Sequence, residues 1–144
     1  MRRTCSILAV LLIGACAALC GDYNSTLLTV TTGAASNGVA NATGINGAIL
    51  EIKLDAATAG ATATVSVVAV PIDSTFGNVT LASKAACDGE ATFRPLFSST
   101  GTTGAVFSAG VGDYFYAAGE TLRLVVTNST PTNTTFEAII KHTR

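Results

Sequence analysis

Tryptophan is absent from this chain, histidine occurs once, as His142, and Asp, Glu, Lys and Arg together make only 12% of the 144 residues. That is about half the charge of an ordinary soluble protein. With a formal net charge of −1, there is no basic excess to meet a phosphate backbone, so nucleic acid is not an expected partner. His142 has no Ser or Asp partner arranged around it in the sequence, which argues against a Ser-His-Asp site. Asp73 and the run Asp88-Gly89-Glu90 lack the spacing of a calcium loop, and the glycine-rich segments lack the strand–loop–helix setting of a phosphate loop. The remaining acids fall at turns or on outward strand positions, where solvation is their ordinary role. No catalytic, cofactor or metal-binding set assembles, and the expectation is a protein without enzymatic activity. Two further absences bear on architecture. No helical period appears after residue 20, and no repeat of roughly 20–50 residues marks a propeller or solenoid.

What is present is Thr, Val, Ala, Gly and Ser. Thr and Val favour strands, Gly and Asn favour turns. The clearest stretch is Glu120–Lys141, in which Leu122, Leu124 and Val126 share one face and Phe136, Ala138 and Ile140 another. A period of two marks half-buried strands. Asn128–Asn133, with Pro131 inside it, supplies the turn between them. Upstream, Ile49–Asp55 alternates with Leu50, Ile52 and Leu54 inward. Ala61–Val70 is a long strand stopped by Pro71, Val79–Lys84 a shorter one, and Ala91–Phe97 an edge strand because Pro95 has no N–H to give. Ala105–Phe107 and Asp113–Tyr116 carry most of the other aromatics. Short strands at even spacing predict an all-β fold, an antiparallel β-sandwich or jelly roll of about eight strands. Its compact part begins at residue 48. Residues 21–47 read as a Gly/Asn-rich arm with one strand, Thr26–Thr32, which serves either as an ordinary first strand and loop or as an arm that orders on a partner.

Residues 1–20 form an apolar N-terminal segment of different character. Met1-Arg2-Arg3 precedes a short apolar run and then small residues, the pattern of a secretory signal. Ile13-Gly14-Ala15-Cys16 also has the form of a lipoprotein-signal box, which would make Cys16 a lipid anchor and the membrane a partner only in that case. Cleavage there leaves Cys20 and Cys87 free to form a disulfide; cleavage after Cys20 leaves Cys87 alone. A misassigned start and an uncleaved apolar arm are the other readings. The four cysteines make neither a disulfide framework nor a zinc site. Five of the seven asparagines, Asn24, Asn41, Asn78, Asn128 and Asn133, stand in N-x-S/T. In an exported eukaryotic protein these accept glycans; otherwise Asn and Thr simply collect at strand ends and turns.

Candidate contact residues are Phe93, Arg94, Pro95, Leu96 and Phe97, where an Arg lies between aromatics on the expected edge, and Tyr114 and Tyr116. The competing reading puts both Phe side chains in the core and leaves Arg94 solvated.

Over Ala48–Lys141 the order of features resembles the small virion proteins of tailed bacteriophages: decoration, cement and head-fibre-like proteins. The resemblance rests on an opening apolar strand (Ala48–Leu54), a long Thr/Val strand (Ala61–Val70) and Val79–Ser83. It continues through the step Phe93-Arg94-Pro95 and the Thr-Gly loop Thr100–Phe107 to the closing pair within Glu120–Lys141. It implies a β-sandwich or jelly roll, often a trimer, bound to the major capsid protein at the virion surface and reinforcing the shell. The N-terminal segment departs from that pattern and supports the alternative, an exported or lipid-anchored surface protein such as an adhesin or receptor-binding lipoprotein.

Overall fold

A computed structural model describes residues 23–73, 75, 77–98 and 112–144. The chain forms β1 (Tyr23–Thr31), β2 (Gly38–Ala42), β3 (Asn46–Asp55), β4 (Thr62–Val70), β5 (Val79–Cys87), β6 (Ala91–Phe93), β7 (Leu96–Ser98), β8 (Gly112–Tyr114), β9 (Tyr116–Ala118), β10 (Thr121–Thr130) and β11 (Thr135–Thr143). One sheet has the order β1-β11-β3-β6, with β9 also on β3; the other has the order β2-β10-β4-β5, and every pairing is antiparallel. Strands β7 and β8 make a separate two-stranded ribbon.

The strand order identifies a jelly roll. Setting aside the β7–β9 excursion, eight strands remain. They pair first with last (β1–β11), second with second-last (β2–β10), third with third-last (β3–β6) and the middle two with each other (β4–β5). This is one long hairpin rolled into two stacked sheets, which brings the expected antiparallel sandwich into being through contacts between the ends of the chain.

The inward rows of both sheets merge in a single core. Leu122, Leu124 and Val126 of β10, Val65 and Val67 of β4, Ile52 and Leu54 of β3, and Phe136, Ala138 and Ile140 of β11 are all fully buried. These are the alternating positions of each strand, and their burial removes apolar surface from water at about 25 cal/mol per Å². The alternation fails at one place in β3. Ile49, not Leu50, is the buried residue, because the β3–β11 ladder slips between Lys141 and His142: Lys141 faces Glu51, and His142 faces Ile49. The extra residue of this bulge reverses the facing of everything before it.

Three further differences from the sequence reading have local causes. The sandwich does not begin at residue 48: β1 and β2, from the segment read as an arm, are full members of the two sheets. Ala91–Phe97 is two strands, since Arg94-Pro95 interrupts it and β6 and β7 join different sheets. The turn after β10 is tighter than residues 128–133, with β10 running to Thr130 and a cis bond joining Thr130 to Pro131. Residues 1–20 and Ala105–Phe107 lie outside the described residues.

Candidate interaction surfaces

The two ends of the sandwich differ in chemistry. At the end where β1 finishes and β11 begins, three hydroxyl side chains, Thr32, Ser129 and Thr134, are buried together. The Thr32 hydroxyl donates to Ser129 Oγ at 3.2 Å, Ser129 Oγ donates to the Pro131 carbonyl at 2.9 Å, and Thr134 Oγ1 donates to the same carbonyl at 3.1 Å. The Thr134 amide donates to Thr32 Oγ1 at 3.2 Å, and Ser129 and Thr134 share a short hydroxyl contact. No buried side-chain polar atom among the described residues lacks a partner. Buried hydroxyls so satisfied are structural. A nucleophilic role for Ser129 would need a base, and the one histidine is at the far end of β11, eight residues beyond Thr134, or roughly 25 Å at strand rise. There His142 is nearly buried, with Nδ1 donating to the Thr143 carbonyl at 2.8 Å and Nε2 3.2 Å from Thr26 Oγ1. The carbonyl only accepts, so Nδ1 carries a proton.

The opposite end gathers the predicted contact residues. Strand β7 pairs with β8 so that Leu96 faces Tyr114, and Phe115 donates its amide to the Pro95 carbonyl at 3.3 Å. The segments 93–97 and 114–116 are thus brought side by side. Their members serve differently. Phe93 faces inward opposite Ile52 and packs on the core, Pro95 is buried, and Arg94 is exposed. Tyr114 and Tyr116 are 47% and 64% exposed. Leu96 and Phe97 lie in β7, for which only the backbone is described. A shallow pocket of about 250 Å³ opens nearby, lined by Ala69, Pro71, Gly77, Val79, Phe115 and Glu120. Its walls are apolar, and the Glu120 carboxylate accepts the Ala118 amide. Ile72, 80% exposed, extends this apolar end.

The outer faces of the sheets also contrast. On the β1-β11-β3-β6 sheet, Glu51, Lys53 and Asp55 of β3 stand beside Lys141, Ile139 and Glu137 of β11. Lys141 bonds Glu51 at 2.7 Å and Lys53 pairs with Glu90. The Lys141 ammonium holds the Glu51 carboxyl below the usual carboxylate range. On the β2-β10-β4-β5 sheet the strands carry two charged residues, Arg123 and Lys84. Its outward rows are Val39, Val125, Ser66 and Ser83, then Asn41, Arg123, Val68 and Thr80. Arg123 Nε donates to Asn41 Oδ1 at 3.0 Å, which ties down one of the two charges. This face is a field of Val and hydroxyl groups that sequence inspection missed, because its members come from four separated segments. Their signal was the outward half of each alternation.

Cys87 is fully buried and the only cysteine among the described residues; its Sγ lies 3.3 Å from the Gly89 carbonyl, and burial pushes its pKa up. Its proposed disulfide partner Cys20 and the candidate anchor Cys16 lie outside the described residues. The acidic candidates for calcium are engaged locally: Asp73 accepts from the amide and hydroxyl of Thr75, Asp88 is 4.0 Å from Lys84, and Glu90 pairs with Lys53. Of the five sequon asparagines, Asn41, Asn78, Asn128 and Asn133 are exposed and Asn24 is half-buried in β1. Asn128 and Asn133 both take left-handed backbone conformations, φ 56° and 58°, which Asn tolerates better than most residues. Comparison of the chain with protein families, with curated proteins and with solved structures gives no match.

Proposed function

We propose that this is a non-enzymatic structural protein of a virion, a capsid decoration or cement component that binds the shell through the outer face of its β2-β10-β4-β5 sheet. The observation that carries the reading is the charge asymmetry of the two outer faces. A sheet face of Val, Ser and Thr with a single Arg near its centre costs less to desolvate than the opposite face, whose Lys and Glu ion pairs are suited to water. Repeated over a lattice, modest contacts of this kind sum to firm attachment. Jelly rolls recur in capsid proteins, and also in lectins, so the fold adds support by analogy alone. The major capsid protein is the partner this reading requires.

The test is to purify particles from the native source and assay them for the chain by mass spectrometry. The protein is expected in particles at stoichiometric amounts. A Val39→Glu variant, which puts a carboxylate on the charge-poor face at a 57% exposed position, should reduce occupancy without unfolding. Absence of the protein from particles overturns the reading.

The N-terminal Arg-Arg start, apolar run and Ile13–Cys16 box favour a second reading, an exported surface protein anchored through lipid on Cys16. It requires partitioning into membranes that a Cys16→Ser change abolishes.

A further inference from the structure

Among the described residues the two sheets present four edges, and three of them are blunted. The β5 edge is bent by bulges on both sides of Val65–Val67, and Lys84, one-third exposed and 4.0 Å from Asp88, puts a charge on it. The β6 edge ends after three residues at Arg94-Pro95, and β2, five residues opening on Gly38, offers a partner little more than half the length that β1 does. These are the devices by which sheet edges avoid pairing with other chains. Strand β1 has none of them. It is nine residues, YNSTLLTVT, without Pro, Gly or charge, and its register on β11 runs unbroken from Tyr23 opposite Thr143 to Thr31 opposite Thr135. No described strand lies along its other side.

We infer that β1 is a dimerisation edge, and that its occupant is β1 of a second copy of this chain, antiparallel about a two-fold axis at Leu27. The register follows from facing and length. For two copies to form one continuous sheet, outward residues must meet outward residues, so directly opposed positions must sum to an even number. Of those registers, the one with sum 54 pairs all nine residues. It sets Leu27 against Leu27, Ser25 against Thr29 and Tyr23 against Thr31 on the outer face. On the inner face it sets Thr26 against Leu28 and Asn24 against Val30. Leu–Leu, hydroxyl–hydroxyl and aromatic–β-branched pairs are favourable cross-strand neighbours, and no like charges meet. Tyr23 and Leu27, 67% and 57% exposed in the single chain, each gain a cross-strand neighbour on the outer face. The product is one continuous sheet, β6-β3-β11-β1 continued by the same strands of the second copy in reverse. It is a two-fold association, unlike the trimer that the phage resemblance implies, and it holds whether or not the virion reading does.

The experiment is sedimentation of the full-length protein with variants at the axis. Wild type is expected to sediment as a dimer. Leu27→Lys and Leu27→Glu each place two like charges face to face and should halve the mass, with far-UV circular dichroism unchanged because Leu27 is outside the core. Mixing the two variants should restore the dimer, since Lys then faces Glu. Val39→Lys, at the same 57% exposure on the other sheet, should leave the dimer intact. A wild type that stays monomeric, an assembly whose mass Leu27→Lys does not change, or a failure of the mixture to reassociate overturns the inference.

Discussion

Thr32 shows how a hydroxyl is made necessary by its surroundings. It is 1% exposed and takes part in bonds to Ser129, to the Thr134 carbonyl and to the Thr134 amide. Replacing it with Val keeps the shape and leaves those partners buried without it, at a cost of about 1–3 kcal/mol. Thr32→Val should therefore lower the urea midpoint with unchanged m, while Thr32→Ser recovers most of the loss. Sequence inspection has no access to this cluster. Thr32, Ser129 and Thr134 are ordinary turn-forming residues in a chain full of them, and only the pairing of first and last strands brings them together. Individual contact residues were partly legible for the same reason. Arg94 is exposed, as an Arg on an edge suggests, but Phe93 is held inward by its register on Ile52.

Among elements, β10 and β11 were readable because their alternation is clean and their ladders to neighbours are regular over the buried apolar positions Leu122–Val126 and Phe136–Ile140. Strand β2 was not, since Gly38–Ala42 contains one strong strand former, Val39, and its pairing partner lies more than eighty residues away. The β3 bulge was also invisible, because the slip is decided jointly by two strands. One residue near it is under a tight constraint. Gly47 has φ +122°, and an added Cβ would lie 2.5 Å from the Thr143 carbonyl oxygen. No L side chain fits there without moving the end of β11. Gly47→Ala should destabilise the protein by more than about 1 kcal/mol, read as a lower melting temperature. Gly44, which also has positive φ but no atom within 4 Å, is the control: Gly44→Asn should be far milder.

At the scale of the molecule, the period of two announced strands and hence a sandwich, but could not announce their order. A jelly roll needs its first strand to find its last, and that is a property of loop closure and burial over the whole chain. The same property makes the contrast between outer faces, and the unprotected β1 edge, features of the assembled fold. The pairing of β1 with β11 also fixes a mechanical behaviour. Tyr23 and Thr143 are opposed residues on adjacent antiparallel strands, so the described chain enters and leaves at one end of the sandwich. A force applied between these two points does not shear the β1–β11 ladder; it peels it from that end, breaking hydrogen bonds in succession instead of all together. Pulled in this way in an optical trap, the protein should yield at low force, beginning with β1. Pulled between Tyr23 and Thr135, which loads the same ladder along its length, it should resist far more strongly.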